Sequence, residues 1–132
     1  MVLVLRAMKI DEDGLPTRGW SGARTLVARC SIDIPLRQDD GYVEPLQGGV
    51  SVSPPPEENL PPSRLPRVLG GKGKDPLWRL ETDDLPDELA YRPDPGAPDT
   101  HGFIEPAREM SFADYLDAVH GTRADWRRLR VE

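Results

Sequence analysis

Residues 40–56 read DGYVEPLQGGVSVSPPP, where a short apolar alternation stops at two glycines, resumes around Ser51 and ends at three prolines. Paired glycines before a short alternating run are typical of a hairpin that leads into a strand. The same pair also lets the backbone come close to a ligand, because glycine has no side chain in the way. Gly48 and Gly49 therefore predict either a tight turn alone or the floor of a binding site.

The composition predicts a single small domain, spanning residues 1–132, with a modest core. Of the 132 residues 37% are hydrophobic, and the chain holds 15 prolines and 12 glycines. This length suits one domain, and so much proline and glycine requires long loops. The formal net charge of -6 argues against stable binding to nucleic acid, which needs clustered lysine and arginine.

The cysteine content and the absence of a targeting pattern favour a cytoplasmic protein with no membrane contact. Cys30 is the only cysteine, so no internal disulfide can form, and its apolar surroundings in the sequence predict a buried, inert thiol. Arg6 and Lys9 interrupt the apolar start before it reaches the length of a signal-peptide core. No apolar stretch reaches the length of a membrane span.

Short strands are predicted along most of the chain. Residues 2–10 are rich in leucine and valine, and residues 25–34 favour a strand in their second half, although their period also allows a helix. Further strands are predicted at 42–43, 76–81, 89–92 and 100–107. Between 54 and 76 the prolines predict a long extended loop, because proline has no N–H for a sheet.

The last element is predicted to be an amphipathic helix. Ser111 is a typical N-cap residue, and Asp114 in the first turn complements the helix dipole. The apolar residues that follow have helical spacing: Phe112, Tyr115, Leu116, Val119, Trp126 and Leu129. The chain therefore predicts a compact α+β domain of short strands in small sheets, with long Pro/Gly-rich loops and a C-terminal helix.

The sequence contains no metal-ligand pattern and no complete serine-hydrolase elbow, and its chemically capable residues are dispersed. Arg6 shares a strand face with apolar residues, which is costly unless it meets a partner, an anionic ligand or water at a sheet edge. Ser51 follows the two glycines. On an extended strand His101 and Glu105 point to the same side, with Phe103 between them.

Four blocks of the sequence resemble the type VI secretion exported effector two family. HGFIEPAREM at residues 101–110 resembles its C-terminal motif, and LVLRAMK at 3–9 resembles its first strand. DGYVEPLQGGVSV at 40–52 and LPDELAYRPD at 85–94 fall in the family's order between them. The resemblance implies a toxin of ADP-ribosyltransferase-like fold, with NAD bound between two small sheets. It also implies a growth-arresting cellular target and a neutralising immunity protein or antitoxin as partner.

The resemblance also implies a role for each matching residue. Arg6 would grip the pyrophosphate or ribose, and Ser51 would support that arginine or the ribose. His101 would orient a ribose hydroxyl or the target, with Glu105 as a helper through a ribose hydroxyl. The backbone of Gly48-Gly49-Val50 would lie against nicotinamide, which Tyr42, Trp78 or Tyr91 would stack upon. The catalytic residues that the resemblance implies are Arg6, Ser51, His101 and Glu105. The NAD-binding residues that it implies are Arg6, Tyr42, Gly48, Gly49, Val50 and Ser51.

Two departures from the family leave the modified target open. Val50 stands between Gly-Gly and Ser, where family members can carry a hydroxyl residue, and the chain lacks the paired glutamates of many arginine-modifying transferases. Two alternatives therefore stand beside the transferase: a non-catalytic binding module, and an RNA- or phosphate-directed protein of the same fold. Both enzyme hypotheses require Arg6, Ser51 and His101 to line one cleft, whereas the binding module does not.

Overall fold

Most of the strands and the start of the final helix follow the predicted order along the chain. The computed structural model describes residues 2–129, so Met1 and residues 130–132 of the predicted domain lie outside it. It contains strands β1 to β8 at Leu3–Ala7, Tyr42–Val43, Val50–Val52, Leu77–Glu81, Leu89–Pro93, Gly102–Pro106, Met110–Ser111 and Arg127–Arg128, and helix α1 at Phe112–Gly121. This order confirms the predicted α+β class with small sheets and one C-terminal helix. No helix within residues 2–129 has the length and apolarity needed to cross a membrane.

The strands form small antiparallel sheets, with the orders β1-β4-β8, β3-β6-β5 and β2-β7. In the first sheet Arg6 of β1 lies opposite Trp78 of β4. The two larger sheets are joined where Leu5 and Ser53 exchange backbone hydrogen bonds of 2.8 and 2.9 Å. This link places the middle of β1 next to β3, so that residues far apart in the sequence become neighbours.

The larger hydrophobic core draws on all the sheets and on α1. Its largest fully buried side chains include Trp78, Tyr115 and Met8. The indole of Trp78 donates to the Met8 carbonyl at 2.9 Å, and the Tyr115 hydroxyl donates to the Ile104 carbonyl at 2.6 Å. These bonds satisfy the polar tips of large side chains, which would otherwise lose their hydrogen bonds on burial.

The proline-rich segment at 54–76 is a long loop, as predicted, but it is packed against the sheet. It contains two short 3₁₀ turns, at Glu57–Asn59 and Arg67–Leu69. A second hydrophobic cluster forms under it, with Leu60 and Leu65 from the loop against β1. This packing holds the loop residue Arg64 next to the end of β1, where the Arg64 guanidinium donates to the Ala7 carbonyl at 2.8 Å.

The final helix begins where the sequence predicts. The Ser111 hydroxyl accepts a 3.1 Å hydrogen bond from the Asp114 amide, which satisfies one of the free donors of the first turn. Tyr115, Leu116 and Val119 are buried along one side of the helix. The N-cap and the apolar stripe of the first three turns are therefore confirmed.

The helix ends earlier than predicted. The Thr122 amide and hydroxyl both donate to the Val119 carbonyl, at 3.1 and 2.7 Å, and the helix stops at Gly121. Trp126 lies beyond it, with its indole donating to the Thr122 hydroxyl at 3.0 Å, and Leu129 follows β8. The placement of Trp126 and Leu129 on the helix is wrong, because Thr122 closes the last turn and the chain reverses into a strand.

Residues 25–34 form no strand, and Cys30 is exposed. The Asp33 carboxylate accepts from the Arg29 amide at 2.7 Å, and the Asp33 amide donates to the Arg29 carbonyl at 2.8 Å. Ser31, inside this turn, has a φ of 63°. The predicted strand and the predicted buried thiol are both wrong. An aspartate carboxylate that accepts hydrogen bonds from nearby backbone amides favours a turn over strand pairing.

Candidate functional site

A cavity of about 210 Å³ lies where the two larger sheets meet. Its walls come from β1, β3, the proline-rich loop and the residue that precedes β6. Its polar lining side chains are Arg6, Ser51, Ser53, Arg64 and His101. Three of the four predicted catalytic residues, Arg6, Ser51 and His101, thus come from separate parts of the chain to line one cavity, which is the convergence that the enzyme hypotheses require.

Arg6 joins three segments of the backbone beside this cavity. One terminal nitrogen of its guanidinium donates to the Ser51 carbonyl at 2.8 Å, and the other donates to the carbonyls of Thr25 and Ala23 at 2.8 and 3.2 Å. The residue is only 8% exposed, so it does not reach into water as an edge-strand arginine would. Its Nε is buried and has no hydrogen-bond partner within residues 2–129. The fork predicted to grip NAD thus holds the protein's own carbonyls.

A second arginine, Arg64, makes the cavity strongly positive. Its guanidinium donates to the Ala23 carbonyl, which Arg6 also uses. Burial and the nearby charge of Arg64 lower the pKa of Arg6 to about 10, with a partial offset from Asp33, so Arg6 stays charged at neutral pH. Burial also lowers the pKa of Arg64. No carboxylate within residues 2–129 lines the cavity, so the field there favours an anionic ligand.

His101 is oriented by a neighbouring carboxylate. Its Nδ1 lies 2.9 Å from one oxygen of Asp94, whose other oxygen accepts from the Gly96 amide at 2.9 Å. These two bonds, the Gly96 one foremost, hold the pKa of the Asp94 carboxyl below its usual range. An ionised carboxylate only accepts, so Nδ1 carries the proton and Nε2 is left to meet a ligand. The ring also packs edge-on against Phe103, with 4.9 Å between centroids.

This orientation predicts a defined tautomer. In neutral imidazole we expect the His101 proton on Nδ1, and Asp94→Ala should move most of it to Nε2 because alanine removes the acceptor. Long-range proton–nitrogen NMR measures both. His120 is a built-in control, since its Nε2 faces the carbonyls of Gly19 and Leu26 at 2.9 and 3.1 Å and must therefore donate. Nε2 protonation of His101 in the unmodified protein would contradict this arrangement.

Glu105 lies on β6 outside the cavity lining. It is 5% exposed, and one of its oxygens accepts from the Leu46 amide at 2.8 Å and from Arg92 Nε at 3.0 Å. The Arg92 guanidinium in turn lies 5.2 Å from the centre of the Phe103 ring, which His101 touches. Glu105 is therefore connected to the cavity residue His101 only through Arg92 and Phe103, and the structure does not place it where it could contact a ligand in the cavity.

The predicted nicotinamide floor is packed against the protein's own backbone. Gly48, Gly49 and Val50 are buried, and a Cβ at either glycine would overlap a carbonyl oxygen, that of Asp33 or of Ile104. The close approach that the glycines permit is thus made by the chain itself. None of these three residues lines the cavity.

The aromatic residues predicted to stack on nicotinamide also lie away from the cavity lining. Tyr42 is 39% exposed on β2 and packs under Arg37, whose guanidinium carbon is 5.3 Å from the ring centre. Trp78 is buried in the core, and Tyr91 is half-buried on β5. The aromatic ring that packs against a cavity side chain is that of Phe103, which meets His101 edge-on.

Two residues of the site were not identified from the sequence. Arg64 lies in a proline-rich loop, and no local pattern indicates which loop residue returns to β1. Asp94 stands before Pro-Gly, a sequence typical of a turn, and its hydrogen bond to the Gly96 amide is of that kind. A histidine seven residues after a turn aspartate is the only signal that points to the Asp94–His101 pair.

No protein-family model, curated protein or solved structure matches this chain. The family resemblance of the four sequence blocks therefore stays a prediction. Within residues 2–129, no group of three or more His, Cys, Asp or Glu side chains is arranged to hold a metal ion.

Proposed function

We propose that this protein is a toxin of ADP-ribosyltransferase type that binds NAD in the cavity between its two larger sheets. The observation that supports this is the convergence of Arg6, Ser51 and His101, together with Arg64, on one positively charged cavity. The meeting of two small antiparallel sheets at Leu5 and Ser53 agrees with the ADP-ribosyltransferase-like fold that the resemblance implies. A neutralising immunity protein or antitoxin and a cytoplasmic target belong to the same proposal.

The residues present fit one part of a dinucleotide. A volume of about 210 Å³ is below that of most ligand pockets, so the cavity holds a phosphate with its sugar while the rest lies along the surface. Arg6 and Arg64 place two positive charges at the cavity. Two such charges suit the pyrophosphate.

Each cavity residue then has a defined task. NAD supplies a glycosidic bond whose cleavage develops positive charge on the ribose. Arg6 and Arg64 hold the phosphates and so orient the sugar. The Ser51 hydroxyl bonds the ribose, and His101 presents Nε2 to a ribose hydroxyl or to the target, with Asp94 stabilising a proton on Nδ1. Glu105 supports Arg92 and the backbone of Leu46.

A growth assay and an NAD-turnover assay test this proposal with two alanine variants. Induction of the unmodified protein in a bacterial host is expected to arrest growth, and Ser51→Ala and His101→Ala should each relieve the arrest. With labelled NAD and cell lysate, His101→Ala should lower nicotinamide release by about a hundredfold or more. Ser63→Ala changes an exposed loop serine and should behave as the unmodified protein. Harmless expression of the unmodified protein, or equal label release from His101→Ala, would refute the transferase.

The cavity also favours a second candidate, chemistry on a phosphodiester. Two guanidiniums beside a histidine that is oriented by a carboxylate form a set suited to holding a phosphoryl group and moving a proton. In that case a labelled single-stranded RNA should be cleaved by the unmodified protein and spared by His101→Ala. Cleavage of RNA without release of nicotinamide from NAD would favour this second candidate over the first.

A further inference from the structure

Two arginines face each other on the open side of the first sheet. Arg79 of β4 lies directly opposite Arg127 of β8, so their side chains project from the same face. Both are exposed, as is the adjacent Arg128, which lies opposite Trp78 and leaves this edge strand on its other side. Like charges in this position repel each other, and within residues 2–129 no carboxylate forms an ion pair with any of the three. Within residues 2–129 these three arginines thus stay without an ion pair, on a protein whose net charge is -6.

This cluster lines a depression of about 630 Å³. We call this surface the arginine face and define it by Arg79, Arg127 and Arg128 with Ile10 and Leu15. It shares no lining residue with the cavity of the candidate site. A neighbouring depression of about 540 Å³ shares Ile10 and Arg128, and continues the surface to Lys74 and Val68.

The arginine face combines charge with exposed apolar side chains. Ile10 is 43% exposed and Val68 is 74% exposed, and both lie among the basic residues. Arginine beside apolar anchors is typical of protein interfaces, where the apolar contact supplies free energy and the charge selects the partner. Isolated apolar residues on a surface carry no such meaning, but here Ile10 lines the same depression as the three arginines, and Val68 lines the neighbouring one.

Acidic residues at one end of the surface argue against a nucleic-acid ligand. A third depression shares Arg79 and Arg127 but also contains Glu81, Asp84 and Asp125. A phosphate chain that followed the arginines would meet these carboxylates, and the overall negative charge would repel it further. No carboxylate within residues 2–129 lines the depression of about 630 Å³ itself, so a short acidic segment seated there meets the arginines without crossing the acidic end.

We infer that the arginine face is a docking surface for a protein partner that presents a short acidic segment around one large apolar residue. The acidic side chains of that segment pair with Arg79, Arg127 and Arg128, and the apolar residue fills the depression beside Ile10. Pairing removes the repulsion between Arg79 and Arg127, so it is favoured beyond the contact itself. This docking surface is independent of the candidate site and of the function proposed for it.

Peptide selection on the full-length protein tests the docking surface. A random dodecapeptide phage library is selected against the unmodified protein, and the recovered peptides are synthesised with a fluorescent label. We expect peptides with several aspartates or glutamates around a large apolar residue. Their affinity, measured by anisotropy, should fall about tenfold or more for the double variant Arg79→Glu/Arg127→Glu, and should weaken with added salt. The exposed pair Arg18→Glu/Arg108→Glu makes the same charge change elsewhere and should leave binding within about twofold.

Several outcomes would overturn the inference. These are the recovery of no binding peptide, the recovery of neutral or basic peptides, and equal loss of binding in both charge-reversed variants. Displacement of the peptide by a single-stranded RNA of twenty nucleotides at comparable concentration would assign the surface to nucleic acid instead. Thermal unfolding of both double variants confirms that each is folded before its affinity is interpreted.

Discussion

Gly48→Ala is expected to lower the free energy of unfolding by about 3 kcal/mol or more. Gly48 has a φ of +135°, a conformation that side-chain-bearing residues rarely adopt. An added Cβ would lie well inside 3.0 Å of the Asp33 carbonyl oxygen, and that oxygen accepts the Gly49 amide at 3.0 Å. Alanine must therefore displace the turn at Asp33 and break this hydrogen bond. Urea denaturation followed by circular dichroism measures the loss.

A matched glycine distinguishes this structural role from a role in NAD binding. Gly121 ends α1 with open space around its Cα, so Gly121→Ala should leave stability unchanged or raise it by up to about 1 kcal/mol. If Gly48→Ala folds with unmodified stability but loses NAD affinity, Gly48 is a ligand-contacting residue after all. If Gly48→Ala loses stability and Gly121→Ala does not, the role of Gly48 is to let the chain pack against the Asp33 carbonyl.

Arg6→Ala is expected to lower the free energy of unfolding by about 3 kcal/mol. The substitution removes the donors for three backbone carbonyls, at Ser51, Thr25 and Ala23, in a region with little access to water. Leaving a buried carbonyl without its charged donor costs more free energy of unfolding than losing an exposed hydrogen bond. Urea denaturation at neutral pH measures the effect, and Arg108→Ala, at an exposed position, should change stability by no more than about 0.5 kcal/mol.

This expectation changes how Arg6 variants are interpreted in a growth assay. Relief of arrest by Arg6→Ala would reflect loss of the fold as readily as loss of NAD contact, so Ser51→Ala and His101→Ala carry the functional test. Arg6→Lys keeps the charge but replaces the planar fork by one ammonium group, and should recover only part of the stability. Full stability of Arg6→Ala would show that the three carbonyls are satisfied in another way.

Local chemistry made several elements predictable from the sequence. The alternation in Leu77–Glu81 puts exposed Arg79 and Glu81 opposite buried Trp78 and Leu80, and this pattern alone predicts a half-buried strand. The Ser111 cap and the stripe at Tyr115, Leu116 and Val119 act over three or four residues. Periodicity and capping are short-range effects, so a sequence pattern contains them.

Other features were decided by competition between near and distant contacts. Residues 25–34 carry an apolar pattern, yet the Asp33 carboxylate accepts a hydrogen bond from the Arg29 amide and the segment forms a turn. Trp126 has helical spacing, yet Thr122 closes the helix before it. In both cases local side-chain hydrogen bonds outweigh the periodic preference, and the sequence offers no measure of which of the two prevails.

The sequence by itself determined the α+β class, the order of most strands, the proline-rich loop and the start of the final helix. It also singled out Arg6, Ser51 and His101 as candidate residues. Only the tertiary structure decided that these three line one cavity with Arg64, that Asp94 orients His101, and that Gly48 and Gly49 are covered by the chain. The physical reason is that local patterns depend on neighbours a few residues away. The cavity depends instead on the Leu5–Ser53 link and on a loop that folds back over β1.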